Sequence, residues 1–162
     1  PEGLCEGKAD LGVWVTCRVD GGPFPETLRL VPKCLALGIG CRRGTDAEKI
    51  ESVVQEALVA AGVPRESVCD AASIDIKKDE PGLLLLCETH GLALTTFSAE
   101  TLRQAAGDFT PSAFVAETVG VDNVCERAAV CAAGSGRLLC RKTARDGVTV
   151  ALAARDFRVT FA

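Results

Sequence analysis

The residues of this 162-residue chain best suited to chemistry fall into two short clusters. The first, Gly38-Ile39-Gly40-Cys41-Arg42-Arg43-Gly44-Thr45, runs from an apolar stretch through glycines into two arginines and a threonine. Glycine lets backbone approach a ligand closely, N–H groups at a helix start point outward, and guanidinium groups fork onto carboxylate or phosphate oxygens. Anion binding is the chemistry implied, with Gly38, Gly40, Arg42, Arg43, Gly44 and Thr45 as candidate contacts. A dinucleotide fingerprint fits poorly, because the third glycine of G-x-G-x-x-G comes one residue late, and no P-loop Lys-Ser/Thr follows. The bland alternative is a tight strand-to-helix turn with solvated arginines.

The second cluster, Ser73-Ile74-Asp75-Ile76-Lys77-Lys78-Asp79-Glu80, sets carboxylates beside amines at the end of a strand-like run. In an enclosed pocket such a carboxylate can act as general acid or base while the lysine holds substrate charge. A polar loop with a helix cap explains the same residues equally well, and Asp79 in particular reads as a cap. His90 is the one histidine, and its place before Gly91 suits a helix C-terminus, where the helix dipole favours a cation.

Nine cysteines raise the question of a disulfide framework or a metal site. Their spacing answers it: no C-x-x-C pair occurs, the count is odd, and most lie in apolar patterns such as Leu84-Leu85-Leu86-Cys87. They read as small buried hydrophobes in a reducing compartment, and no protein metal site is expected.

These clusters must be positioned by strands alternating with helices, the pattern of a layered α/β fold. Short strands are expected at Val13–Val19 and Leu28–Leu30, flanking Gly21-Gly22-Pro23, and a third at Cys34–Ile39. Thr45-Asp46-Ala47-Glu48 has the form of a capping box opening a helix, in which Ile50, Val53, Val54, Ala57, Leu58 and Ala61 share one face before Gly62 ends it. Further helices are predicted from Asp79 to His90, Ser98 to Ala106 and Asp122 to Ala133, each followed by glycine. Leu92–Phe97 reads as a strand, and Arg137–Lys142 with Val148–Ala153 as a hairpin across Arg145-Asp146-Gly147. Antiparallel pairing at the end makes the expected architecture a three-layer α/β/α sandwich with a mixed sheet.

With 48% hydrophobic and 25% charged residues the chain is composed to fold rather than remain disordered. A net charge of -4 without a long basic stretch argues against nucleic acid as partner. No apolar run approaches the roughly 20 residues that span a bilayer. With no basic-then-apolar export signal either, no membrane partner and a cytoplasmic location are expected. The chain begins with Pro1 and contains no Met, which leads to the expectation of a piece cut from a longer polypeptide.

Five ordered segments resemble the C-terminal domain of the CbiG family of cobalt-precorrin-5A hydrolases, and the related stand-alone protein CobE, over about 120 residues. They are the residues at 38–45 and 73–80, Phe97-Ser98-Ala99-Glu100, Val119-Gly120-Val121 with Val124-Cys125-Glu126-Arg127-Ala128-Ala129, and Lys142 ahead of Val148-Thr149-Val150-Ala151. The resemblance implies that residues 34–162 form this domain, and that 1–33 are the tail of the preceding middle domain with its linker, a short β segment. It implies work in cobalamin biosynthesis on a cobalt-containing contracted tetrapyrrole: opening of the ring A lactone and release of acetaldehyde, giving cobalt-precorrin-5B. Cobalt arrives with the substrate, so no cofactor is implied. Arg42, Arg43, Lys77 and Lys142 become candidate anchors for the substrate's peripheral carboxylates, and Glu80, Glu117 and Asp75 candidate acid–base residues. N-terminal parts of the same protein, and other corrin-pathway enzymes, are the expected partners. A non-catalytic corrinoid-binding or hand-over module of the CobE kind, and an anion- or nucleotide-binding α/β domain, are the alternatives.

Overall fold

The computed structural model describes residues 9–111 and 121–158. Five strands form one mixed sheet in the order β5-β4-β3-β7-β6: β3 (Leu35–Cys41), β4 (Val68–Ile74), β5 (Ala93–Phe97), β6 (Arg137–Arg145) and β7 (Val148–Ala154). β3, β4 and β5 run parallel, while β7 pairs antiparallel with both β3 and β6. Helices α1 (Ala47–Ala61) and α2 (Pro81–His90) cover one face; α3 (Ala99–Gln104) and α4 (Val124–Ala132) cover the other. This is the three-layer sandwich expected from the alternation of elements.

The alternation of side-chain size along the central strands decides how each layer packs. Successive strand residues point to opposite faces. Leu35, Leu37 and Ile39 of β3, with Val148, Val150 and Leu152 of β7, turn toward α1 and α2 and meet Ile50, Val53, Leu58 and Leu83. Full burial of each large aliphatic side chain contributes roughly 1.5–3 kcal/mol. The intervening residues are small: Ala36 and Gly38 lie beside Ala153 and Ala151 in the β3–β7 register. α4 can therefore lie close to the sheet. A methyl group added at Gly38 would stand 1.9 Å from the Cys125 carbonyl oxygen and 2.7 Å from the Ala129 nitrogen.

Local endings follow the sequence more closely than beginnings. Gly62 and Gly91 adopt left-handed conformations at φ 63 and 61 and close α1 and α2 with backbone bonds to the last turn. Ser98 caps α3 by accepting from the Thr101 N–H. The Asp146-Gly147 turn of the β6–β7 hairpin has φ 52 and 81, the two positive values a tight hairpin turn requires. The capping box at Thr45–Glu48 does not form: α1 starts at Ala47 after Asp46 with no side-chain cap, and the Thr45 hydroxyl donates instead to the Arg42 carbonyl. Asp79 is likewise not a cap, since α2 begins after Glu80; α4 begins after Asn123 rather than Asp122.

β1 (Leu11–Val15) and β2 (Glu26–Leu30) form a separate two-stranded parallel sheet, with Leu11, Val13, Leu28 and Leu30 exposed. Backbone bonds from Val19 N–H to the Gly62 carbonyl and from Cys34 N–H to the Ser67 carbonyl tie the segment to the main layers. No described helix is long and apolar enough to cross a membrane.

Candidate functional site

β3 and β4 both end at the same edge of the sheet, and the chain leaves them for helices on one face while α4 approaches from the other. Ligands of open α/β sheets bind in the crevice this divergence leaves. Here it is a cleft of about 600 Å³, open to solvent. Gly40 and Cys41 end β3 at its floor, Ile74 and Ile76 form one wall, Val124 and Cys125 at the start of α4 another, and the β6–β7 hairpin closes it.

Five cations surround this largely apolar cleft: Arg42, Arg43, Lys77, Lys142 and Arg145. They are not equivalent. Lys77 pairs with Glu80 at 3.0 Å, both side chains being nearly buried, and Arg145 pairs with Glu56 at 2.9 Å. Among the described residues no carboxylate lies within ion-pair distance of Arg42, Arg43 or Lys142, although the Arg43 charge still acts on Glu80 from further away. Arg42 is fixed at its backbone, where its N–H donates to the Gly147 carbonyl at 3.1 Å and ties the loop after β3 to the hairpin.

The glycine turn divides between two places. Gly40, Arg42 and Arg43 line the cleft, whereas Gly44 and Thr45 line a separate depression between the starts of α1 and α2. Asp46 and Glu48 stand there too, so the field at the start of α1 is not that of an anion site. The helix start that borders the cleft belongs to α4, which the arginine motif gave no reason to suspect; its sequence signal is Asn123, whose side chain caps the Glu126 N–H at 2.9 Å. Gly38 is covered by α4 and does not line the cleft, so its lack of a side chain serves helix–sheet contact rather than ligand approach.

Among the acid–base candidates, Glu80 is buried, with one oxygen accepting the Gly44 N–H at 2.6 Å and the other the Lys77 ammonium at 3.0 Å. Burial pushes its pKa up, but the Lys77 and Gly44 hydrogen bonds and the nearby Lys77 and Arg43 charges outweigh this, and the net shift is downward. Asp75 is exposed at the start of a 3-10 turn, Asp75–Lys77, between cleft residues Ile74 and Ile76. Glu117 lies outside the described residues. His90 bonds Glu51 through Nε2 at 2.8 Å and stands apart from the cleft.

The cleft thiols are not poised as nucleophiles. Burial pushes Cys125 up to about 12 and raises Cys41 as well. Among the described residues, no group of three or more His, Cys, Asp and Glu side chains could hold a metal ion.

Fold and cleft together define an α/β domain whose cleft has apolar walls and a group of cations at the carboxyl ends of parallel strands. Residues 35–153 match the family described as Cobalamin synthesis G C-terminus, and the chain belongs to that family. It is 36% identical over 124 residues to the cobalt-precorrin-5A hydrolase of Salmonella typhimurium, covering 76% of this chain and 35% of the relative. It is 33% identical over 121 residues to the protein CobE of a Sinorhizobium species, covering 74% of this chain and 79% of that one. The crystal structure of CobE, a protein from the cobalamin (vitamin B12) biosynthetic pathway, superposes with a TM-score of 0.70 at 34% identity, covering 76% of this chain and 91% of the other. The match thus spans 32% to 44% of the length of the curated hydrolases this chain is similar to.

Proposed function

We propose that this chain is the substrate-holding domain of a cobalt-precorrin-5A hydrolase of cobalamin biosynthesis, and that its cleft binds the cobalt-containing tetrapyrrole by the carboxylates on its periphery. The observation that carries the reading is the pairing of apolar walls with Arg42, Arg43 and Lys142 at one cleft, three cations without a protein carboxylate partner among the described residues. A macrocycle with an apolar body and acidic substituents needs both features: the walls exclude water from its faces, and the cations fix its orientation. Opening the ring A lactone and losing acetaldehyde further require water activation and proton transfer. Glu80 suits the anchoring of Gly44 and Lys77 better than proton transfer, because both oxygens are engaged and its charged form is favoured. Asp75 and Glu117 remain the candidates within this sequence, alongside groups from the other parts of the full-length relatives. Those parts, and other enzymes of the corrin pathway, are the partners this reading proposes.

Titration with cobalt-precorrin-5A, followed by absorption spectroscopy and an acetaldehyde assay, tests the proposal. Spectral change with acetaldehyde places catalysis in these residues. Spectral change without acetaldehyde, weakened in an Arg42→Ala, Arg43→Ala double variant, makes this a holding or hand-over domain of the CobE kind. No spectral change at all overturns the reading.

A further inference from the structure

We infer that Glu126 is a positioning residue for the cleft, holding the Lys142 backbone in a bulge that aims the lysine toward a carboxylate of the bound ligand. Glu126 is fully buried in the first turn of α4, and its carboxylate accepts three hydrogen bonds from two separate segments. Thr110 supplies its N–H to Oε2 and its hydroxyl to Oε1, each at 2.8 Å. The third comes from the backbone N–H of Lys142 to Oε1 at 2.7 Å.

The place of that third bond is informative. In the β6–β7 register Cys140 stands opposite Leu152 and Thr143 opposite Val150, so one extra residue is accommodated between them. Bulges interrupt a ladder, re-aim a side chain and gather beside functional sites. The bulge leaves the Lys142 amide in need of a partner, and Glu126 provides it from the helix layer. The Lys142 ammonium lies near enough to the Cys125 thiol on the cleft wall to oppose the burial-driven rise of its pKa. No ion pair joins Glu126 to the Lys142 side chain among the described residues. The carboxylate therefore orients the lysine through the main chain without neutralising it.

This rests on the proposed binding of a tetrapyrrole polycarboxylate, and a double-mutant cycle read by cobalt-precorrin-5A titration tests it. Lys142→Ala keeps the backbone N–H and the bulge but removes the ammonium; about a tenfold loss of affinity is expected. Glu126→Ala, which removes the acceptor of the Lys142 N–H, should weaken binding by a similar factor in the parent chain and add no further loss in the Lys142→Ala background. Should Glu126→Ala not fold, Glu126→Asp, which draws both acceptor oxygens back by one methylene from the Lys142 N–H, takes its place in the cycle. The Lys142 amide should also be protected from hydrogen exchange in the parent chain and lose that protection in the Glu126 variant. Additive losses, or an unprotected Lys142 amide in the parent chain, overturn the inference while leaving the substrate reading intact. Failure of the parent chain to bind overturns the substrate reading itself, and this inference with it.

Discussion

The Glu80 carboxylate accepts the Gly44 N–H at 2.6 Å across 36 residues of sequence, locking the turn after β3 to the start of α2. Gly44 holds φ 72, so the turn is left-handed where only glycine enters without strain, and Glu80 is what satisfies its amide. Because Glu80 also holds Lys77, one buried carboxylate fixes both loops that lead into the cleft.

Replacing Glu80 with Gln should cost about 3 kcal/mol at neutral pH, since it leaves Lys77 without its partner in a nearly buried place. The folded pKa of Glu80 lies below the ordinary value of 4.5, so the unfolded chain binds more protons in acid. Its contribution is complete above that ordinary value and lost as pH falls through the depressed folded value. Urea denaturation of parent and variant should show a stability gap that narrows in acid; a gap independent of pH would contradict the assignment.

Gly38→Ala should destabilise the fold by about 3 kcal/mol, the upper range for forcing atoms into a packed interior. The new methyl group would meet backbone of α4, which cannot swing aside as a side chain can. Equilibrium denaturation checks this, and a change within 0.5 kcal/mol, about the size usual for surface sites, would show that α4 sits further from β3.

Removing both guanidinium groups with Arg42→Ala and Arg43→Ala should leave stability nearly unchanged, because both side chains are exposed and the Arg42 amide keeps its bond to Gly147. Affinity for an anionic tetrapyrrole should fall, and its dependence on salt concentration should become shallower. Titrations at several ionic strengths decide whether these arginines face the ligand.

Alkylation separates the thiols by environment. Burial lifts Cys34 and Cys87 to about 11 and Cys125 to about 12, so these three should resist iodoacetamide at neutral pH in the folded chain. All nine cysteines should react once the chain is unfolded, with peptide mass spectrometry as the readout.

Periodicity and turn chemistry made most elements legible from sequence, because they depend on neighbours within a few residues. Ile50, Val53, Val54 and Leu58 declare the buried face of α1, and Asp146-Gly147 declares its hairpin. β4 was visible only as a strand-like run ahead of Lys77: Val68-Cys69-Asp70-Ala71-Ala72-Ser73-Ile74 lacks a clear apolar alternation, and its burial comes from layers on both sides. At the site, sequence determined the supply of cations and glycines and the family they mark. Which of them share a cleft was decided only when the large side chains of β3 and β7 faced α1 and the small ones admitted α4. The tertiary structure likewise assigned Gly38 to packing, placed Gly44 and Thr45 in a different depression from the cleft that Arg42 lines, and brought Glu126 to the Lys142 backbone. Such relations join residues many positions apart, and their energies arise from burial and hydrogen bonding that exist only after the layers close.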